Sequence, residues 1–385
     1  MIFNGVMIRL GEYMVRRTSV RKIMFSRLIE SIRKVLERRS IKGTVKYIEE
    51  RILVLGLEEP VFTARILSNV FGVSSTSPAY IVKGGIDALE KIVIEFASKR
   101  LDPSETFMVR VYNAPYPLSN RGIEKYLGGV ILNKVGSKIN LKNPDKIVYV
   151  EFRGPYIIVT DTVFQGVGGL PYGSEGSLVA LVSGGVDSAV ASIYAMRRGV
   201  SIIPIFNNLF PFWSSEAVKR ALESIELLWE WTPWDHMKAY IVYNVGNVIT
   251  GQDVPSRIRC ILCKAIMYNL ASIIADREKC LGILTGEAVG QVASQTLNNM
   301  SALTTLSPKP VYRPLAFMDK IDIINIARLF GLEKLNRSVG ECRLKPPHPA
   351  VKISREEYVI LKKILDNIQG DLEKLVDNAD IIEFA

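Results

Sequence analysis

The feature that most constrains the fold is the regular alternation of strand-like and helix-like segments between residues 178 and 285. Short apolar runs at 178–182 and 200–206 are each followed by a longer stretch with helical spacing, such as 188–198. This alternation is typical of a parallel sheet with helices on both faces. The pattern therefore predicts an α/β domain, and ligands of such sheets bind beyond the carboxyl ends of the strands.

A glycine-rich loop lies at one of these strand ends. Residues 183–188, Ser-Gly-Gly-Val-Asp-Ser, directly follow the run 178–182 and precede a predicted helix. Glycines allow a tight turn, a helix start offers N–H groups to an anion, and the two serines offer hydroxyl donors. The loop lacks the Lys-Ser/Thr ending of a Walker A loop and is not the dinucleotide fingerprint. We predict a phosphate cradle; a glycine turn with a helix cap at Asp187 or Ser188 is the alternative.

The first part of the chain follows an α+β rhythm instead. The spacing predicts strands at 1–10, 44–56, 80–82, 107–112, 147–152 and 156–160, and helices at 18–39, 62–70, 89–97 and 121–133. We predict a ferredoxin-like amino-terminal domain over 1–58, a second α+β domain over 59–165, a glycine-rich linker over 166–177 and the α/β domain over 178–385.

The net charge of +10 is unevenly distributed. Residues 1–50 hold twelve basic and five acidic side chains, a balance of +7. A basic module favours a polyanionic partner such as nucleic acid, although a solvated basic helix face is an equal alternative. We find no apolar run that predicts a membrane-spanning helix and no leader pattern, so we expect a cytoplasmic protein without a membrane partner.

The four cysteines are too few for a disulfide framework. Cys260 and Cys263 lie one turn apart on a helix predicted at 257–276, a spacing typical of a metal or redox site, and Cys342 follows far downstream. A zinc site made of all four cysteines and a simple redox pair are alternatives. Cys280 precedes a strand predicted at 281–285, and we expect it to be a buried small hydrophobic residue.

With these motifs in view, the loop at 183–188 resembles the pyrophosphate loop of the N-type ATP pyrophosphatases. Together with 286–297 (GEAVGQVASQTL), 166–177 and 313–328 (RPLAFMDKIDIINIAR), it makes the chain similar to the tRNA 4-thiouridine synthetases of the ThiI family. The resemblance extends over nearly the whole chain, starting from Gly11-Glu12. It implies a ferredoxin-like domain, a THUMP domain and a PP-loop ATP pyrophosphatase domain, in a form that lacks the rhodanese domain.

The resemblance also implies an activity. Family members adenylate the uridine at position eight of tRNA and replace its oxygen with sulfur, and a role in thiazole synthesis stays open. It implies ATP contacts at Leu181, Ser183, Gly184, Gly185, Val186, Asp187, Ser188, Phe206, Lys264, Gly286 and Gln295. Asp187 is expected near a magnesium ion. A different tRNA base as the target and a catalytically inactive RNA-binding module are the alternatives.

Sulfur transfer is expected at the cysteines. The resemblance assigns Cys342 to this step and implies that Cys260, Cys263 and Cys342 hold a [4Fe-4S] cluster, whose open iron would take sulfide. Sulfur comes from sulfide or from a persulfide carrier. Expected tRNA contacts are Arg16, Arg17, Arg21, Lys22, Arg110, Arg121 and Lys125, and family members commonly form homodimers.

Overall fold

The computed structural model describes residues 2–11, 18–337, 340 and 342–385. The chain divides into two compact units, Met1–Pro171 and Tyr172–Ala385. Each unit has its own hydrophobic core. Arg16 and Arg17, two of the predicted tRNA contacts, lie outside the described residues.

The first unit combines nine strands with four helices in its described part. The elements are β1 (Gly5–Leu10), α1 (Thr18–Arg38), β2 (Thr44–Ile48), β3 (Arg51–Leu55), α2 (Pro60–Ser68), β4 (Val73–Lys83), α3 (Leu89–Arg100), β5 (Thr106–Tyr112), α4 (Asn120–Val135), β6 (Lys138–Ile139), β7 (Lys146–Arg153), β8 (Tyr156–Thr160) and β9 (Phe164–Gln165). The strands form one sheet in the order β2-β3-β1-β4-β8-β7-β5-β6, and β9 pairs with β4.

Strand β4 joins the two halves of this sheet. Its residues 73–79 pair with β1, and its residues 80–83 pair with β8. Only 80–82 of this strand was predicted from the sequence, because the serines and the proline in the preceding stretch are not strong strand formers. Pairing on both sides of β4 outweighs that propensity.

The predicted single strand at 44–56 is wrong. The structure has the hairpin β2–β3, which turns at Glu49 and Glu50 with φ of +41° and +66°. Such turns usually carry Asn or Gly, so two glutamates gave no turn signal.

Two helix-covered cores lie along the first unit. Residues of helices α1 and α2 pack together in one core, in which Leu28 and Leu67 are fully buried. Helices α3 and α4 supply the other core, around Phe96 and Leu127. Helix α2 thus shares a core with α1, although it falls within the range predicted for the second domain. The predicted domain boundaries themselves stay predictions.

The second unit is an α/β domain, as predicted. Its elements are β10 (Ser177–Leu181), α5 (Val186–Arg197), β11 (Ser201–Asn207), α6 (Glu216–Glu230), β12 (Met237–Val242), α7 (Val245–Thr250), α8 (Arg259–Arg277), β13 (Ile283–Leu284), α9 (Leu297–Thr305), β14 (Val311–Tyr312), α10 (Lys320–Leu329), α11 (Arg355–Asp377) and β15 (Asp380–Phe384). The sheet order is β14-β13-β10-β11-β12-β15, and all neighbours are parallel except β12 and β15.

Helix α8 is the central helix of the second unit's main core. The stretch Ser256–Arg277 is long and apolar enough to cross a membrane, which corrects the expectation that no such run exists. However, 67% of its apolar window is buried inside the structure. The apolar residues of α8 are therefore accounted for by packing against the sheet and α11.

Candidate active site

The glycine-rich loop leaves the carboxyl end of β10 and leads directly into α5. Gly184 has a φ of +74°, and a Cβ here would lie 2.8 Å from the backbone carbon of Arg220 on α6. A glycine is required at this position because a side chain would be strained and too close to another backbone. Gly185 is the N-cap of α5, and none of the described side chains caps this helix. The first N–H groups of α5 are therefore available to an anion.

The two serines of the loop have different environments. Ser188 is buried, and its Oγ donates to the carbonyl oxygen of Gly185 at 3.0 Å while accepting from the N–H of Ser183 at 3.3 Å. This hydroxyl therefore stabilises the loop, whereas we had expected both serines to offer donors to an anion. The side chain of Ser183 is exposed. Val186 is buried, so only its backbone N–H can meet a phosphate.

Asp187 lies in the first turn of α5 and pairs with Lys320. Its Oδ1 is 2.5 Å from Nζ of Lys320, the first residue of α10. Both side chains are partly exposed, at 26% for Asp187 and 44% for Lys320. Lys320 lies within the segment 313–328 and was not among the predicted site residues. The pair places a carboxylate and an ammonium group together at the edge of the phosphate loop.

Gly286 brings the segment after β13 against the loop. A Cβ on Gly286 would lie 2.5 Å from the backbone carbon of Asp187 and from the backbone nitrogen of Ser188. Only a glycine permits this approach, because the neighbouring atoms are backbone and cannot move aside. The predicted nucleotide segment therefore touches the first turn of α5.

The next residue, Glu287, is the centre of a buried charged network. Its Oε1 lies 2.5 Å from Nζ of Lys264, and its Oε2 accepts from Nε of Arg313 at 2.8 Å, from Oγ1 of Thr285 at 3.2 Å and from the hydroxyl of Tyr268. Burial alone would raise the pKa of Glu287. The charge of Lys264 and the hydrogen bonds from Lys264, Tyr268 and Arg313 outweigh burial and lower this pKa to about 2. Glu287 is therefore ionised at neutral pH.

Lys264 and Tyr268 lie one turn apart on α8. Their contacts with Glu287 fix the position of the Gly286 segment relative to α8. Lys264 was predicted as a phosphate contact, and the structure adds that its ammonium group is also the partner of a buried carboxylate. The role of Lys264 in nucleotide binding stays a prediction.

Three of the four cysteines come together near the start of α8. Burial is the larger cause that raises the pKa of Cys260, and the neighbouring Cys342 raises it further. Burial, together with Cys342 and Cys260, raises the pKa of Cys263 to about 12. The segment of Cys342 is held at this place because the N–H of Arg343 donates to the carbonyl oxygen of Phe212 at 2.8 Å. Thiols with raised pKa values are protonated at neutral pH, so they need a metal or a nearby base to react as thiolates.

Cys280 lies elsewhere. It is buried in the core beyond the other end of α8, with its Sγ 3.9 Å from the carbonyl oxygen of Glu278. The helix places it roughly 20 Å from Cys263 along the axis. The expectation of a buried hydrophobic residue is confirmed, and the four-cysteine zinc site loses its fourth ligand. Within the described residues, no group of three or more His, Cys, Asp or Glu side chains is arranged to hold a metal ion.

The remaining predicted ATP contacts lie at the carboxyl edge of the sheet. Leu181 ends β10, and Phe206 lies near the end of the adjacent parallel strand β11. Gln295 lies nine residues after Gly286, at the end of the short 3₁₀ turn Ala293–Gln295. Its carbonyl oxygen accepts from the N–H of Gly290 at 3.0 Å. The side-chain Oε1 of Gln295 is buried and has no hydrogen-bond partner in the described part of the chain. A buried acceptor in this state is costly unless a ligand donates to it.

Comparison with known proteins identifies the family. The family model described as thiamine biosynthesis protein (ThiI) matches residues 173–366, the ThiI ferredoxin-like domain matches 5–77 and the THUMP domain matches 84–160. The chain belongs to the ThiI family.

Relatives of this ThiI chain match it over nearly its full length. The probable tRNA sulfurtransferase of Methanosarcina mazei is 33% identical over 98% of this chain and 93% of the relative. The protein of the same name from Aeropyrum pernix is 34% identical over 91% of this chain and 89% of the relative. A crystal structure of a 4-thiouridine synthetase–RNA complex with bound ATP is 26% identical, covers 100% of both chains and superposes with a TM-score of 0.87. The predicted family and fold class are confirmed.

The predicted tRNA contacts of the ThiI chain lie on two helices and one strand of the first unit. Lys22 is exposed and Arg21 half-buried on α1. Arg121 and Lys125 are exposed at the start of α4. Arg110 on β5 lies 3.7 Å from Glu124 of α4 and is 44% exposed. These positions leave the cations accessible, and RNA contact by each of them stays a prediction.

Lys320, Glu287 and the residues that surround Glu287 were not predicted from the sequence. Lys320 had a usable signal, because it lies in a segment quoted for the family resemblance. Glu287 also lay inside a quoted segment, but nothing in its local pattern shows that it would be buried against three donors. Arg313 begins the segment that also contains Lys320, but nothing in the local pattern shows that it would meet Glu287 and Tyr268. Tyr268 gave no signal, because this meeting depends on how β14 packs near α8.

Proposed function

We propose that this chain is an ATP-dependent tRNA sulfurtransferase, which adenylates the uridine at position eight of tRNA and replaces its oxygen with sulfur to give 4-thiouridine. Full-length relatives carry the name tRNA sulfurtransferase, and a similar solved structure is a 4-thiouridine synthetase with RNA and ATP. Both support the proposal.

One observation carries the proposal furthest. The phosphate loop and the thiols are connected by a short series of direct contacts within the second unit. Gly286 abuts the backbone of Asp187, Glu287 binds Lys264, and Lys264 follows Cys263 on α8. A reaction that needs a nucleotide phosphate and sulfur at one centre fits this arrangement.

Adenylation uses the loop and its ion pair. The uridine O4 attacks the α-phosphorus of ATP, and pyrophosphate leaves. The N–H groups at the start of α5 hold the departing pyrophosphate, and Lys320 offsets its charge. Asp187 would hold Mg²⁺, since carboxylate oxygen is a ligand that this ion prefers beside phosphates, and bound Mg²⁺ would neutralise further phosphate charge.

Sulfur transfer follows at C4 of the adenylated uridine. Hydrosulfide held beside Cys342 attacks this carbon, and AMP leaves with the former uridine oxygen. With a persulfide carrier, the carrier's outer sulfur first passes to Cys342, and the Cys342 persulfide attacks C4 as AMP leaves. A neighbouring thiol, Cys260 or Cys263, then attacks Sγ of Cys342, so that 4-thiouridine is released and a disulfide forms. We assign Cys342 to the delivery of sulfur, with Cys260 and Cys263 beside it. These three soft donors have the chemistry to hold an iron–sulfur cluster, which would supply an open iron for sulfide. Because the described side chains are not arranged as metal ligands, no step is assigned through a cluster.

The first unit is proposed to hold the tRNA. Basic groups on α1 and α4 would contact sugar and phosphate and so position the RNA without reading its bases. A homodimer and a cytoplasmic location also stay predictions.

The direct test is a single anaerobic reaction. Purified protein is incubated with a tRNA transcript, MgATP and sulfide, and the nucleosides are analysed by mass spectrometry. We expect 4-thiouridine, and we expect a transcript with cytidine at position eight to yield none. Sulfur at another base would instead support the alternative target.

Two controls separate the steps. Asp187→Asn should lose AMP formation together with 4-thiouridine, because its carboxylate is proposed to serve the adenylation step. AMP formation by the wild type without 4-thiouridine would point to a missing persulfide carrier. The absence of both products from wild-type reactions would contradict the proposal and support an inactive RNA-binding module.

A further inference from the structure

The first unit contains a partly buried group of cations that the proposed function does not use. We call Arg9, Arg51 and Arg153, which surround Glu151, the arginine cluster. Glu151 is only 2% exposed and Arg153 only 7%. Oε1 of Glu151 lies 2.5 Å from Nη2 of Arg153 and 2.9 Å from Nε of Arg51. Arg153 also donates to the carbonyl oxygen of Glu49 at 2.9 Å, so the hydrogen bonds of Arg153 are largely made within the protein.

The other two arginines are incompletely satisfied. The 2.9 Å contact of Arg51 with Glu151 does not have hydrogen-bond geometry, and Nε of Arg51 is a buried donor without a hydrogen-bond partner among the described residues. Arg9 donates through Nη1 to the hydroxyls of Ser77 at 2.9 Å and Ser75 at 3.4 Å. Neutral hydroxyls do not balance the charge of a guanidinium group.

The charges of the cluster do not balance either. Three guanidinium groups lie around one buried carboxylate. Glu50, a further acid that acts on Arg51, is exposed and has the smallest effect on the pKa of Arg51. Burial lowers the pKa of Arg9 and of Arg51, although the charge of Glu151 opposes this for both. Burying excess positive charge costs free energy, and a bound anion would recover it.

Two tyrosines lie beside the cluster. Tyr112 and Tyr149 both influence Arg9 electrostatically. Their rings are nearly parallel, with centroids 6.5 Å apart and planes at 18°, and Tyr112 is 44% exposed. Exposed aromatic rings beside cations are what single-stranded RNA uses for base stacking next to a held phosphate.

We propose that the arginine cluster is an anion site that takes a phosphate group. Guanidinium groups match the oxygens of a phosphate in pairs, which a lysine cannot do. The phosphate is either part of an RNA backbone, with a neighbouring base on the tyrosine pair, or a free inorganic ion. The RNA source rests on the proposed function, whereas the inorganic source does not.

The test variant is Arg9→Gln, since the hydrogen-bond partners of Arg9 are all neutral. In one arm, thermal unfolding is followed in inorganic phosphate and in chloride at matched ionic strength. The loop at 183–188 can also bind phosphate, so the decisive quantity is the difference between wild type and variant. We expect phosphate to stabilise the wild type by roughly a few degrees more than Arg9→Gln.

In the second arm, the affinity for a labelled tRNA transcript is measured at several salt concentrations. We expect Arg9→Gln to bind roughly tenfold more weakly and to lower the salt slope by about 1. Arg9→Lys keeps the charge but not the paired donors, and should recover only part of the affinity. Binding of an ATP analogue should match the wild type in each variant, which separates loss of this site from loss of the nucleotide site.

The outcomes distinguish the sources. Loss of tRNA affinity, with or without a phosphate difference, assigns the site to RNA. A phosphate difference with unchanged tRNA affinity assigns it to the free ion. Wild-type behaviour of Arg9→Gln in both arms overturns the proposal, whereas a wild type that binds no tRNA contradicts only the proposed function. If circular dichroism shows that Arg9→Gln is unfolded, Arg51→Lys replaces it in both arms.

Discussion

Replacing Glu287 by glutamine should strongly destabilise the second unit. The variant keeps the shape of the side chain but leaves Lys264 and Arg313, which are only 21% and 12% exposed, without their shared carboxylate. The pKa of Glu287 falls from 4.5 to about 2 on folding, which corresponds to about 3 kcal/mol of favourable interaction with the ionised form. Removing one partner of a buried ion pair costs about 3–5 kcal/mol, in agreement with that value.

The destabilisation should depend on pH in a defined way. Because folding lowers the pKa of Glu287, the stabilisation is fully present above about pH 4.5 and is lost as the pH falls towards 2. Protonated glutamate resembles glutamine. The stability difference between wild type and Glu287→Gln should therefore be constant from pH 7 to 5 and then shrink.

Urea unfolding followed by circular dichroism measures this difference. In thermal unfolding of a unit of this size, about 3 kcal/mol corresponds to a loss of roughly 6–12 °C in Tm. Glu278→Gln is a matched control in the same unit, because Glu278 also binds a lysine but is 21% exposed, and it should cost about 1 kcal/mol. Equal costs for the two variants, or a gap for Glu287→Gln that persists at pH 2, would refute the reasoning.

Three further predictions concern the active site. Cys342→Ala should abolish the formation of 4-thiouridine while AMP still forms. Cys280→Ala, in the distant core position, is the control and should leave thiolation intact. Mass spectrometry of the nucleosides and a measurement of AMP release test both expectations. Gly286→Ala should lower both the unfolding midpoint and the affinity for ATP, because its Cβ would lie 2.5 Å from backbone atoms. Gly370→Ala, where a Cβ on α11 would meet open space, is the control and should stabilise the fold by about 0.5–1 kcal/mol. Lys320→Met should slow AMP formation by roughly a hundredfold with little effect on folding, and an unchanged rate would remove this lysine from the proposed mechanism.

The parts of the fold that local patterns encode could be predicted from the sequence. The phosphate loop is one example, because a buried strand, two glycines and a helix start are adjacent in the chain. The helix that carries Cys260 and Cys263 is another, since its apolar residues recur with helical spacing over many residues.

The parts that depend on distant contacts could not be predicted. In the sequence, nothing distinguishes Glu287 from other polar residues of a glycine-containing loop. Its burial results only from the packing of α8 and β14 around it. Arg9 and Arg51 each lie at or next to the end of an otherwise apolar strand, a position where a charged residue normally extends into solvent. They are partly buried because they lie on the same face of their strands as Met7 and Leu53, which pack in one core with Tyr156 of β8.

Strand β4 has a consequence for the inheritance of these domains. The ferredoxin-like match ends at residue 77 and the THUMP match begins at residue 84, so the interval between them lies within this single strand. A gene fusion that exchanged either domain at that interval would cut a strand that supplies hydrogen bonds to both. The recombinant protein would have a broken sheet with exposed strand edges, and such edges are prone to aggregate. The two domains are therefore expected to be passed on together, as one evolutionary module.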